Sequence, residues 1–86
     1  VTLVDYLETL WVKGFKLPDE DIRFIYFGKK LTNADDWCVS FAIETTLRLK
    51  RQFDGSFYIS LLELFHEHEI KNRHEAKRLL TVKNMT

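Results

Sequence analysis

A single cysteine, Cys38, stands in the 86-residue chain. No internal disulfide can form, which excludes a stapled secreted scaffold. Charge of one sign is also missing: thirteen Lys and Arg balance thirteen Asp and Glu. That balance argues against a partner chosen by bulk charge, such as nucleic acid or an anionic membrane surface. No apolar run approaches the roughly 18 residues of a membrane span, and no signal-peptide pattern is present. One proline and three glycines leave no linker, and there is no low-complexity segment or internal repeat. The expectation is a single domain over residues 1–86, intracellular, in the cytoplasm or nucleus. What the chain does have is apolar content of 45% with 14% aromatics, enough for a packed core and too much for a disordered tail.

Residues 2–13 carry the clearest pattern. Leu3, Tyr6, Leu7, Leu10 and Trp11 recur at helical spacing, with Thr2 as N-cap, Asp5 in the first turn and Gly14 as a left-handed cap. Further on, Ile22-Arg23-Phe24-Ile25-Tyr26-Phe27 is dense in β-branched and aromatic types and stops at Gly28, which reads as a strand. Pro18 followed by Asp19-Glu20-Asp21 is equally a helix start. Residues 44–50 alternate, Thr45, Leu47 and Leu49 against Thr46, Arg48 and Lys50, as a half-buried strand does. Phe57–Leu64 and Lys77–Lys83 alternate similarly, joined by the polar run from His66 to Glu75. That tail is also compatible with helix, because Ser60-Leu61-Leu62-Glu63 matches a capping box and Asn72–Glu75 nearly repeats it.

The middle of the sequence resembles a ubiquitin-like domain over roughly residues 2–51. The motifs run in family order: the helix Leu3–Lys13, Pro18-Asp19-Glu20-Asp21, Arg23-Phe24-Ile25-Tyr26, Gly28-Lys29-Lys30-Leu31, Asn33, Trp37, then Thr45-Thr46-Leu47-Arg48-Leu49. The resemblance implies an α+β fold, a β-grasp sheet wrapped on one main helix. In that family two strands precede the helix, whereas this sequence starts at it. The expected arrangement is therefore circularly permuted or strand-exchanged, with Phe57–Leu64 and Lys77–Lys83 supplying the first hairpin. Residues 50–56 are long enough to span about 20 Å when extended. The family conjugates through a terminal Gly-Gly, but here Arg51-Gln52-Phe53-Asp54-Gly55 runs on into the tail. The expected member is therefore non-conjugating and non-enzymatic.

No catalytic constellation is present. The cluster of His66, His68 and His74 with Glu67, Glu69 and Glu75 reads as a solvated loop rather than a metal site. Cys38 among Trp37, Val39 and Phe41 reads as a buried structural thiol. Gly28 before Lys29-Lys30 is no phosphate loop. Neither cofactor nor metal is expected. On the strand reading, Ile25 and Phe27 share an exposed sheet face with Arg48 and Lys50, an apolar patch ringed by cations. The resemblance implies that Ile25 leads partner binding, with Gly28 and Lys29 at its edge and Arg23 beside it. The expected function is a protein–protein interaction module acting as a monomer or strand-exchanged dimer, and the resemblance implies protein partners such as those of the ubiquitin system.

The rival is an all-α small helical bundle serving as an adaptor or assembly subunit. Its support lies in residues 33–51. Asn33 serves as cap, Asp35 and Asp36 sit in the first turn and Lys50 and Arg51 in the last, while Cys38, Phe41, Ala42, Thr45, Leu49 and Phe53 share one face. A remoter reading is a metal-dependent or nucleic-acid-binding protein using the histidine loop.

Overall fold

A computed structural model describes residues 2–85. Its helices are α1 (Leu3–Val12), α2 (Asp19–Thr32), α3 (Asp36–Lys50), α4 (Gly55–Glu67) and α5 (Arg73–Val82), and no strand occurs among the described residues. The ubiquitin-like resemblance is therefore overturned, and with it the β-grasp sheet, the circular permutation and any strand exchange. The all-helical bundle is the architecture this chain adopts.

Each misread segment has a physical reason. Ile22–Phe27 lies inside α2, where Pro18 occupies the N-cap, Asp19, Glu20 and Asp21 the first turn, and Lys29 and Lys30 the last. Those charges complement the helix dipole at both ends. Ile25, Gly28 and Thr32 are buried at i, i+3 and i+7. Residues 44–50 lie in α3, where both Thr45 and Thr46 are buried while Leu49 is exposed, so the alternation does not separate two faces. In α4, Tyr58, Leu61, Leu62 and Phe65 are buried. The run is so apolar that it matches a period of two and of 3.6 alike. Asp54 caps α4, accepting from the Phe57 N–H, and Ser60 sits in mid-helix with its hydroxyl donating to the Ser56 carbonyl. Asn72 caps α5 as the second capping box suggests, accepting from the Glu75 N–H, while Glu75 accepts from the Lys71 N–H.

Specific contacts tie the helices together. Asp36, at the start of α3, accepts from the Leu3 N–H at 3.0 Å and pairs with Lys29 at 3.0 Å. One carboxylate thus joins the start of α1 to the end of α2, and both donors hold its pKa below the usual carboxylate range. Helix α3 also packs against α4, with Phe41 and Phe65 rings 5.8 Å apart. Arg73, opening α5, reaches Glu44 and the Phe41 ring. Helix α3 therefore has α1, α2, α4 and α5 around it.

The α2–α4 contact depends on an absent side chain. A Cβ on Gly28 would stand 2.8 Å from both Ile59 Cδ1 and Tyr58 Cε2 and 3.2 Å from Leu62 Cδ1. That close approach lets the buried Tyr58 hydroxyl donate to the Ile25 carbonyl at 2.7 Å, a bond worth about 1 kcal/mol net. Gly28→Ala should lower the unfolding free energy by about 1–3 kcal/mol through overpacking, despite the roughly 1 kcal/mol advantage of alanine in a helix. Ile25→Ala should cost about 2–5 kcal/mol. Urea denaturation measures both, and an unchanged midpoint for either variant would contradict this packing.

Candidate interaction surface

Helices α1 and α5 flank α3 and leave an open cleft on each side of a ridge formed by Glu44 and Arg48, which line both. The spacing of Glu44 and Arg48, four residues along α3, puts them one above the other on the outer face.

The α1–α3 cleft holds roughly 290 Å³ and is lined by Tyr6, Leu10, Phe15, Leu47 and the stem of Lys13 beside the ridge. Its position follows from how α1 ends. Gly14, at φ +99°, turns the chain so that the Phe15 N–H donates to the Leu10 carbonyl at 2.9 Å. This five-residue return is a Schellman closure, and it brings Phe15 to the cleft with nearly half of its surface, 47%, exposed. Just before it, Trp11 and Val12 are also exposed, and the Lys16 ammonium lies 5.1 Å from the Trp11 ring centre. Burial pushes the Tyr6 phenol up to about 12; Glu44 adds to the rise and Arg73 opposes it.

The α3–α5 cleft holds roughly 420 Å³ between Phe41, Thr45 and Leu80 below and Arg48, Arg73, Lys77 and Thr81 above. Arg73 is held by Glu44 and by the Phe41 ring, 4.9 Å from its guanidinium carbon. Thr45 differs from its fellows. Thr9, Thr32, Ser40, Thr46, Ser60 and Thr81 each donate to the carbonyl four residues earlier. Thr45 is 1% exposed, and its Oγ1 is the one buried side-chain oxygen or nitrogen among the described residues without a hydrogen-bond partner. A buried hydroxyl in that state costs about 1–3 kcal/mol.

The residues expected to form one patch do not share a face. Ile25 is wholly buried and Gly28 is buried, both within the α2–α4 contact. Arg23 and Phe27 are exposed on α2, and Lys29 is tied to Asp36 and the Ala34 carbonyl. Arg48 stands on the ridge between the clefts, whereas Lys50 lies over the Phe57 ring at 5.0 Å. Of the expected set, only Arg48 belongs to either cleft. Missed were Arg73 and Lys77, whose i, i+4 spacing, like that of Glu44 and Arg48, marks one face of a helix once both segments are read as helix.

Cys38 is buried, and desolvation lifts its thiol to about 11. His66 and His68 flank the end of α4, and His74 lies in the first turn of α5. Among the described residues no three His, Cys, Asp or Glu side chains stand together in a form that would hold a metal.

Two stability outcomes follow. Thr45→Val keeps the shape and removes the unpaired hydroxyl, so it should leave the urea midpoint unchanged or raise it; a clear loss would mean the hydroxyl has a partner. Unfolded tyrosine and cysteine lose protons near pH 10 and 9, whereas Tyr6 and Cys38 hold theirs to about 12 and 11. The contribution of these groups is full below pH 9 and erodes as pH rises toward 12. Urea midpoints should fall across that alkaline window, and a flat profile would contradict the burial of both groups.

No curated protein matches this sequence, and neither does any solved structure. No helix among the described residues is long and apolar enough to cross a membrane. A family model does match, over residues 1–86, and the chain accordingly belongs to that family, described as one of unknown function (DUF6123).

Proposed function

We propose that this protein is a small, non-catalytic helical adaptor that binds a partner protein in the α1–α3 cleft. The observation that carries the reading is Phe15, held at the lip of an apolar cleft and left 47% exposed. Aromatic side chains in such positions are the usual anchors of protein interfaces. Around the cleft the charge is unbalanced: Lys13 and Arg48 line it with Glu44 as the only carboxylate, and Lys16 stands nearby over Trp11. The complementary partner is an amphipathic helix that inserts an apolar side chain between Leu10 and Leu47 and presents carboxylates along its edge. The absence of catalysis is supported by the chemistry at hand, since the buried Cys38 thiol stays protonated near neutral pH and is a poor nucleophile.

A photo-crosslinking amino acid at Trp11 or Phe15, introduced in the organism of origin, should capture a specific protein. The same probe at Glu63, on the exposed side of α4, should not. With the purified partner, Phe15→Asp should weaken binding at least about tenfold, in keeping with loss of a central anchor, while the helical circular dichroism is unchanged. Partner binding that survives Phe15→Asp, or crosslinks no stronger than from Glu63, would overturn the reading.

A further inference from the structure

We propose that the α3–α5 cleft is a binding site for the phosphate group of a small phosphorylated molecule. Arg48, Arg73 and Lys77 line the cleft against the single carboxylate of Glu44, a surplus of two positive charges. A phosphate monoester carries about −1.5 to −2 at pH 7, so the charges match. Arg73 is already oriented, since Glu44 and the Phe41 ring hold its guanidinium in place. Such preorganisation reduces the entropy lost on binding.

The independent observation is Thr45. It lines the same cleft, is 1% exposed and has a hydroxyl without a partner. The six other helical hydroxyls satisfy themselves on the preceding turn; this one does not, and because its Oγ1 is closed to solvent it meets a ligand only when the Thr45 side chain rotates toward the cleft. Two guanidinium forks and an ammonium line the cleft from two helices, and with that hydroxyl they supply donors in several directions. That arrangement suits a tetrahedral group with several oxygens better than a planar carboxylate. The cleft, at roughly 420 Å³, falls in the range of small-ligand sites, and its apolar side of Phe41 and Leu80 would face the organic part of the molecule. This site shares the Glu44 and Arg48 ridge with the proposed partner cleft but does not require a partner bound there.

Amide-resolved NMR titration of the full chain tests the assignment. The probes are inorganic phosphate, phenyl phosphate and acetate, each compared with sodium chloride at equal ionic strength. Both phosphates should give saturable shifts centred on Thr45, Arg48, Arg73 and Lys77, with phenyl phosphate the tighter. Thr45→Val and Lys77→Gln should each weaken phosphate binding about tenfold, the factor expected for one hydrogen bond to a charged acceptor. Thr45→Ser, which keeps the hydroxyl, should bind like the parent, and so should Lys83→Gln, beyond the cleft. The proposal is overturned by shifts that do not saturate, that chloride reproduces or that spread over all lysines and arginines. Acetate binding as strong as phosphate, or undiminished affinity in a folded Thr45→Val, would also overturn it.

Discussion

Helix α3 is packed by every other helix, and that burial is the constraint from which the rest follows. Val39, Ala42, Ile43 and Thr46 form one fully buried stripe, and the buried Cys38, Ser40, Phe41 and Thr45 carry the burial around most of the helix circumference. A helix enclosed in this way must satisfy its polar groups internally, because water does not reach them. Thr46 does so by donating to the Ala42 carbonyl at 2.7 Å, and Ser40 by donating to the Asp36 carbonyl. The N-terminal end of α3 is secured by Asp36, which accepts from one neighbouring helix and pairs with another. Apart from Leu49 and Lys50 at its C-terminal end, the exposed part of α3 is the outer strip containing Glu44 and Arg48.

The helix ends show how the chain is made to turn tightly enough for this packing. Four helices close with the same five-residue return: Phe15 to Leu10, Ala34 to Lys29, Ile70 to Phe65 and Met85 to Leu80. In each, the residue before the returning N–H is left-handed, namely Gly14, Asn33, Glu69 and Asn84. In each, the returning residue is apolar, the type a Schellman motif favours there, and Ala34, Ile70 and Met85 pack against the core. Arg51 ends α3 in the left-handed region too, with a single bond to the Leu47 carbonyl. At Phe15 this local device has a surface consequence, since the side chain that closes α1 also lines the α1–α3 cleft.

How far the sequence disclosed this fold depended on how many sides of each helix are wet. Helix α1, with Asp5, Glu8 and Thr9 on its wet side and Leu3 and Leu10 buried, showed its period plainly, although Trp11, read as part of the apolar stripe, is exposed. The most buried helix, α3, showed it least, because a helix that is buried nearly all round loses the polar stripe that reveals 3.6-residue spacing. Its Thr45-Thr46 pair then favoured a strand on intrinsic preference, which tertiary packing overrode. In α2 the decisive signal was present, Pro18 and three acids at one end and two lysines at the other, but a six-residue run dense in β-branched and aromatic types read equally well as a strand. The order of motifs shared with ubiquitin-like domains was built from such short pieces, each compatible with either structure. Surface reasoning inherited the error: placing Ile25 on an exposed face required a sheet, and in a helix the same residue turns inward to meet Tyr58.

Charge balance over the whole chain concealed the local imbalance at the clefts. The acidic residues are spent near helix starts, Asp19, Glu20 and Asp21 on α2 and Asp36 on α3, where the dipole and free N–H groups favour them. Others, Glu63 and Glu67, lie on α4, which does not line the α3–α5 cleft. Removing carboxylates from the outer strip leaves Glu44 alone among Arg48, Arg73 and Lys77. A net charge of zero therefore excludes recognition by the field of the entire molecule, yet it is compatible with a concentrated positive site, since screening confines such fields to about 8–10 Å in physiological salt. At that range a ligand of the proposed α3–α5 site would be chosen by the few groups that line the cleft, and the packing of α3 and α5 sets how far apart those groups stand.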